Sequence, residues 1–300
     1  MSLAVSIVVP TLDDPELLDL CLGAVLAERD RRGVGDEVLV VDDSGEGAVV
    51  EHLRERFPEA RTEVHERNLG FPAALERGVR AAHHALVLAL NPDVELWPGA
   101  IDPLVETLER GGTRAVAPLV IDGDGRLSEE SLPRMVVEDG LPRVVCAELD
   151  VTPGAVCAAH PEGIPVDFCL GGAFLFRRTS FLQQPFDPRF EPFYWEDVDW
   201  GAEARGGGET LRVDPRAVAV HRNTGTIAPR VPESLRRAAI EKNRLLYAWK
   251  HFEGDVLREH LEALSKRLVE CALTEEREEL VAFLLATETS KSTRRSMWPV

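Results

Sequence analysis

What most constrains this chain is a repeated change of period: short apolar strands alternate with amphipathic helical stretches, and the strands stop at polar loops. Residues 4–9 form an apolar run ending at Pro10, and residues 16–29 set Leu17, Leu18, Cys21, Leu22 and Val25 at helical spacing. Residues 37–41 run into Asp42 and Asp43, residues 49–57 read as a helix, and residues 62–65 as a short strand. A helix over 73–84 then leads into the nearly continuous apolar strand 85–90, of the kind covered on both faces. Strands alternating with helices imply a mostly parallel sheet with right-handed crossovers. The expected fold class is therefore α/β: a doubly wound, Rossmann-like sheet with helices on both faces.

Beyond residue 115 the pattern changes. Residues 116–121 read as a strand followed by a tight turn, and residues 131–165, rich in Pro, Gly and short apolar pieces, read as an irregular insertion or flap. Strand-like pieces at 166–168 and 173–176 flank Gly171 and Gly172, residues 197–205 read as a short helix, and 211–213 with 217–220 as short strands. From Pro232 on, residues 235–252 and 256–285 are long amphipathic helical stretches. The expected organisation is a catalytic domain over 1–231 and a C-terminal helical extension over 232–300.

Composition removes several functions. With 34 basic residues against 52 acidic ones and a net charge of −18, the chain repels polyphosphate backbones, so nucleic acid is not an expected partner. Every lysine (Lys242, Lys250, Lys266, Lys291) lies beyond residue 232. The front of the chain thus has no ammonium for a P-loop, a kinase strand or a Schiff base. The 5 cysteines (Cys21, Cys146, Cys157, Cys169, Cys271) include no C-x-x-C pair, which favours reduced thiols and a cytoplasmic setting. The first residues carry no signal-peptide pattern, and no apolar run approaches the ~18 residues of a membrane span.

In an open α/β sheet, ligands bind beyond the carboxyl ends of the strands. Those ends are Pro10-Thr11-Leu12-Asp13, Asp42-Asp43-Ser44-Gly45 and Asn91-Pro92-Asp93, all polar and two rich in carboxylate. Any one of them could be an ordinary turn; three at one sheet edge make a site. No G-x-G-x-x-G follows the first strand, which argues against a nicotinamide enzyme. Carboxylates hold a diphosphate best through Mg2+ or Mn2+. A second cluster, Tyr194-Trp-Glu-Asp-Val-Asp-Trp200, sets three acids in four positions between two tryptophans, where they repel one another unless a cation or a proton-transfer role accounts for them. His221 ends an apolar strand and could complete a site for a borderline ion.

Seven segments together resemble a known family: Ser6-Ile-Val-Val-Pro-Thr11, Val40-Val-Asp-Asp-Ser44, Arg67-Asn-Leu-Gly-Phe-Pro-Ala-Ala74, Leu90-Asn-Pro-Asp-Val94, Gly171-Gly-Ala-Phe-Leu-Phe-Arg177, Tyr194-Trp-Glu-Asp-Val-Asp-Trp200 and Glu241-Lys-Asn-Arg244. They resemble, in order over residues 3–252, the signatures of inverting family 2 glycosyltransferases of the GT-A fold, including rhamnosyltransferase-like members. The resemblance implies that Pro10, Thr11, Asp13, Asp42, Asn68, Gly70 and Asn91 bind the donor nucleotide, with Asp93 and His221 holding Mn2+ or Mg2+. It implies Asp197 as the catalytic base and Gly171, Gly172, Trp195 and Glu196 as acceptor-binding residues. The first position of the family's metal-binding D-x-D element is Asn91 here, which leaves Asp93 as its only charged ligand.

The implied partners are a dTDP- or UDP-linked sugar and a saccharide, lipid-linked or other hydroxyl acceptor. A homodimer through the C-terminal helices and peripheral attachment at the inner membrane surface stay open. The alternative is a catalytically weak nucleotide-binding relative serving as a partner scaffold. A sugar-1-phosphate nucleotidylyltransferase would need a basic Gly-rich loop and a working lysine in the front of the chain, and both are missing.

Overall fold

The structure, a computed structural model, describes residues 3–128, 131–146, 152–170, 172–222, 231–274 and 277–291. The first half alternates as its periodicity requires: β1 (Val5–Thr11), α1 (Pro15–Arg32), β2 (Glu37–Asp42), α2 (Val50–Arg56), β3 (Arg61–Val64), α3 (Phe71–Ala81) and β4 (Leu86–Leu90). Local chemistry sets the helix ends. Asp14 caps α1 by accepting from the Leu17 amide at 3.1 Å, Pro15 opens the helix, and Gly33 closes it in the left-handed conformation.

After β4 come β5 (Val94–Leu96), α4 (Ile101–Glu109), β6 (Thr113–Ile121), β7 (Pro133–Glu138), β8 (Leu141–Cys146), α5 (Pro153–Ala159), β9 (Ile164–Val166), β10 (Ala173–Arg177), α6 (Arg178–Gln183), α7 (Glu196–Gly206) and β11 (Thr210–His221). The C-terminal helices are α8 (Glu233–His251), α9 (Gly254–Thr274) and α10 (Arg277–Lys291). Among the described residues one sheet runs β3-β2-β1-β4-β10-β6-β11-β5, with β9 added on β11. The β3-β2-β1-β4 half is parallel, and β10 enters antiparallel between β4 and β6. This is the expected α/β architecture with its C-terminal helices.

Alternate residues of a strand point to opposite faces, and both faces are covered. Val5, Ile7 and Val9 join a core under α1, α2 and α4, whereas Val8 joins a core under α3, α6 and α7 that holds Phe174, Phe176, Phe181, Phe186 and Trp200. That double cover is why these strands read as unbroken apolar runs.

One expectation changes. Part of the presumed irregular insertion is the β7–β8 hairpin, whose turn holds Asp139 at φ 52° and Gly140 at φ 72°. An Asp-Gly pair between strand-forming residues is a strong hairpin signal, and it stood in the sequence. The C-terminal helices pack onto the rest of the chain: Leu245, Leu246 and Tyr247 of α8, Leu264 of α9 and Ala286 of α10 share a core with Phe168, Phe190, Trp195 and Val198. Leu264 and Cys271 of α9 are buried, while Leu261 stays 48% exposed.

Candidate active site

Strand register brings the polar loops together. Thr11 pairs with Asp42 and Asp42 with Val64, so β1, β2 and β3 end side by side, and β1 and β4 run in parallel register with Val8 opposite Ala89. Backbone bonds continue the rows: the Asp43 amide donates to Thr11 O at 2.8 Å and the His65 amide to Asp42 O at 2.9 Å.

The carboxylates here do different work. Asp42 is fully buried and braces its own loop: Oδ1 accepts from the Ser44 amide and hydroxyl, Oδ2 from the Val49 amide. Both oxygens thus accept hydrogen bonds within the β2–α2 turn. Asp43 bonds His65 Nδ1 at 2.6 Å and accepts from the Leu69 and Gly70 amides at 3.0 and 2.7 Å, fastening the loop with Asn68, whose Oδ1 also receives the Gly70 amide. Burial pushes the Asp43 carboxyl above its ordinary value even with His65 and two amides favouring the charged form. Pro10 is buried and Asp13 exposed. The Thr11 hydroxyl is buried without a hydrogen-bond partner among the described residues.

The antiparallel β5–β11 pair sets His221 opposite Val94, and this brings His221 Nε2 to 3.2 Å from Asp93 Oδ2. The turn between them is held at both ends: the Asn91 amide donates to Gly172 O at 2.8 Å and the Arg222 amide to Asp93 O at 3.1 Å. Gly172 permits that approach, since a Cβ there would lie 2.9 Å from Asn91 Nδ2. Gly171 lies outside the described residues. The fold family implies a divalent ion here. One carboxylate oxygen beside one imidazole nitrogen suits a borderline ion such as Mn2+. Among the described residues no third His, Cys, Asp or Glu joins them, so the donor set fits an ion whose other positions are filled by diphosphate oxygens and water.

The acidic cluster opens α7. Asp199 is buried and paired with Lys250 Nζ at 2.8 Å and His251 Nε2 at 2.7 Å, both at the end of α8. The cation this cluster needs is supplied by the tail. Asp197 is half-buried, its Oδ1 accepting from the Val198 amide at 2.8 Å. Its charge helps raise the buried Cys169 thiol, after desolvation, so Cys169 lies near Asp197.

Two expectations about the aromatic wrapping differ from the geometry. The Trp195 ring packs on Tyr247 with centroids 5.4 Å apart and is buried in the core shared with α8, so it offers no open face to a sugar. Trp200 lies in the aromatic core under the sheet, its Nε1 donating to Gln184 O. Desolvation falls instead on Glu196, buried with Oε2 unpartnered, and the Asp197 charge adds to it, pushing the carboxyl up to about 8. Relative to an ordinary Glu, the folded state holds this proton over a pH range where the unfolded chain has released it. The fold therefore loses stability as pH rises from about 4.5 toward about 8. Glu196→Gln should flatten that fall in thermal midpoint between pH 5 and 8 and leave the acid end unchanged, which calorimetry across that range checks.

Residues the sequence did not single out by role also serve here: Lys242, Asn243, Lys250 and His251 of α8, and the Asp43–His65 pair. A legible sign was a Lys-Asn pair on the face of α8 that carries Ala238, Ala239, Leu245 and Leu246, where polar side chains need a purpose.

Comparison with known proteins fits this geometry. The sequence model for glycosyl transferase family 2 matches residues 6–182. An N-acetylglucosaminyl-diphospho-decaprenol L-rhamnosyltransferase from Mycobacterium tuberculosis is 27% identical over 203 residues, covering 61% of this chain and 66% of the relative. The chain thus spans just under two thirds of that curated relative. Among solved structures, GalNAc-T7 with UDP, GalNAc and Mn2+ superimposes with a TM-score of 0.62 at 18% identity, covering 82% of this chain and 48% of the other. The mannosyltransferase PcManGT from Pyrobaculum calidifontis, in complex with GDP-Man and Mn2+, has a TM-score of 0.53 at 18% identity, covering 98% and 77%. These likenesses show a shared GT-A fold.

Proposed function

The chain belongs to glycosyl transferase family 2, and from that premise we propose that it is an inverting transferase moving a sugar from a nucleoside diphosphate to an acceptor hydroxyl. The observation that carries this reading is the contact of Asp93 with His221 at the carboxyl edge of the sheet. Thr11, with its unpartnered hydroxyl, and the loop through Asn68 and Gly70 bind the nucleotide. Asp93 and His221 hold Mn2+ or Mg2+, which when bound neutralises charge on the diphosphate. Asp197 accepts the proton of the acceptor hydroxyl as its oxygen attacks the anomeric carbon on the face opposite the departing diphosphate. Glu196, whose burial favours the protonated carboxyl, can orient an acceptor oxygen. Gly172 lets the backbone come close to the substrates.

The rhamnosyltransferase relative, whose name gives a diphospho-decaprenol acceptor, supports a dTDP- or UDP-linked deoxysugar donor and a lipid-linked acceptor. No helix among the described residues is long and apolar enough to cross a membrane, so such an acceptor would be met at the membrane surface. The test is turnover of dTDP-rhamnose and UDP-sugars with a polyprenyl-diphosphate saccharide and Mn2+, the product's anomeric configuration being read by NMR. Inversion at C1 is the expected result. A protein that binds nucleoside diphosphate but transfers no sugar to any hydroxyl would favour the scaffold reading, for which Asn91 in the D-x-D position is the one supporting feature.

A further inference from the structure

The turn before α7 is conformationally costly. Tyr194 at φ 68° and Trp195 at φ 74° both lie in the left-handed region, where a residue with a Cβ is disfavoured. Trp195 immediately precedes the Glu196–Asp197 pair, so the φ/ψ values of this turn set the direction in which both carboxyls leave the backbone.

The restraint comes from α8. Asn243 Nδ2 donates to the carbonyls of Phe190, Phe193 and Tyr194 at 2.7, 3.0 and 2.7 Å. Lys242 Nζ donates to the carbonyls of Arg189 and Glu191 at 2.9 and 2.6 Å. Both side chains are fully buried. The carbonyls of five of the six residues from Arg189 to Tyr194 thus converge on two adjacent side chains, and the sixth, on Pro192, faces Gly70 of the donor loop, where a Cβ would lie 3.1 Å from it. Burial lowers the Lys242 ammonium to about 7, so an isolated lysine here would gain little from its charge. Its value lies in the carbonyls it gathers.

We infer that Asn243, assisted by Lys242, is a positioning residue for the transfer step: it holds the left-handed Tyr194–Trp195 turn and thereby aims Asp197 at the acceptor. This makes α8 part of the catalytic apparatus, and it rests on the reading of Asp197 as the base.

The test uses the full chain with Asn243→Leu, of similar size but without donors, and Asn243→Ser, which keeps one donor in case the leucine variant does not fold. Amide hydrogen exchange of the peptide covering 189–200 is read without substrate, and kcat, acceptor KM and nucleoside diphosphate affinity are read with it. Faster exchange in that peptide, nucleotide affinity within twofold, and kcat lower by on the order of 10–100-fold are expected, since displacing a catalytic group by ~1 Å can cost about that much. Tyr194→Gly supplies the discriminating readout, because glycine adopts the left-handed conformation without the steric cost. Combined with Asn243→Leu it should leave about fivefold more activity than the two single effects predict.

Unchanged exchange in 189–200, unchanged kcat, a loss confined to nucleotide affinity, or additive effects of Tyr194→Gly and Asn243→Leu would each overturn the inference alone. If the unmodified protein turns over no sugar, the reading of the function fails, and the inference about transfer fails with it.

Discussion

Asp197→Asn should slow sugar transfer by about a hundredfold or more while nucleoside diphosphate affinity stays within about twofold, because positioned general-base catalysis contributes ~10²–10⁴-fold. The change keeps the side chain's size, and the amide oxygen can still accept from the Val198 amide that now bonds Oδ1 at 2.8 Å, so α7 keeps its first turn. The donor is assigned to Thr11, Asn68, Gly70 and Asp93, on β1, the β3–α3 loop and the β4–β5 turn, none of them on α7. Single-turnover transfer together with nucleotide titration separates the two quantities. Transfer at the unmodified rate, or failure traced to lost nucleotide binding, would remove Asp197 from the role of base.

Asp93→Ala should do the reverse, weakening Mn2+-dependent donor binding by at least about 10–100-fold, the range that changes merely adjacent to a metal reach. His221→Ala should weaken it in the same direction, since Asp93 Oδ2 and His221 Nε2 stand 3.2 Å apart and no other acid, His or Cys among the described residues joins them. A chelator should abolish transfer by the unmodified protein and excess Mn2+ restore it. Nucleotide titrations with and without the ion provide the measurement, and full activity in thoroughly demetallated protein would show that the pair binds no metal.

Much of the architecture was legible in the order of residues, for identifiable reasons. A strand covered on both faces has to be apolar throughout, as residues 85–90 are, and a surface helix has to repeat its apolar positions at helical spacing, as α1 does. Strand ends in an α/β sheet fall at one edge, so Thr11, Asn91 and Asp93 could be grouped without seeing them. The seven ordered segments carried the family with them. The pairing of Asp93 with His221, 128 positions apart, followed from the chemistry an ion would need.

What the sequence could not decide was the direction and environment of each side chain, since these depend on contacts between distant segments. Asp42 and Asp43 are neighbours in the chain, yet one braces its own turn and the other ties down the loop at 65–70. Among the three acids of α7, only the fold assigns Asp199 to Lys250 and His251 and leaves Glu196 buried with Oε2 unpartnered among the described residues, which is why burial raises its carboxyl. The two tryptophans that flank the three acids in the sequence lie in separate cores, Trp200 under the sheet and Trp195 against α8. By itself the sequence determined the sheet, the family and the loops that meet at its edge. Tertiary structure alone decided that a C-terminal helix, which reads as an appendage, supplies the cations and amide donors that hold the acidic loop, because buried charges and carbonyls are satisfied by whichever segment packs against them.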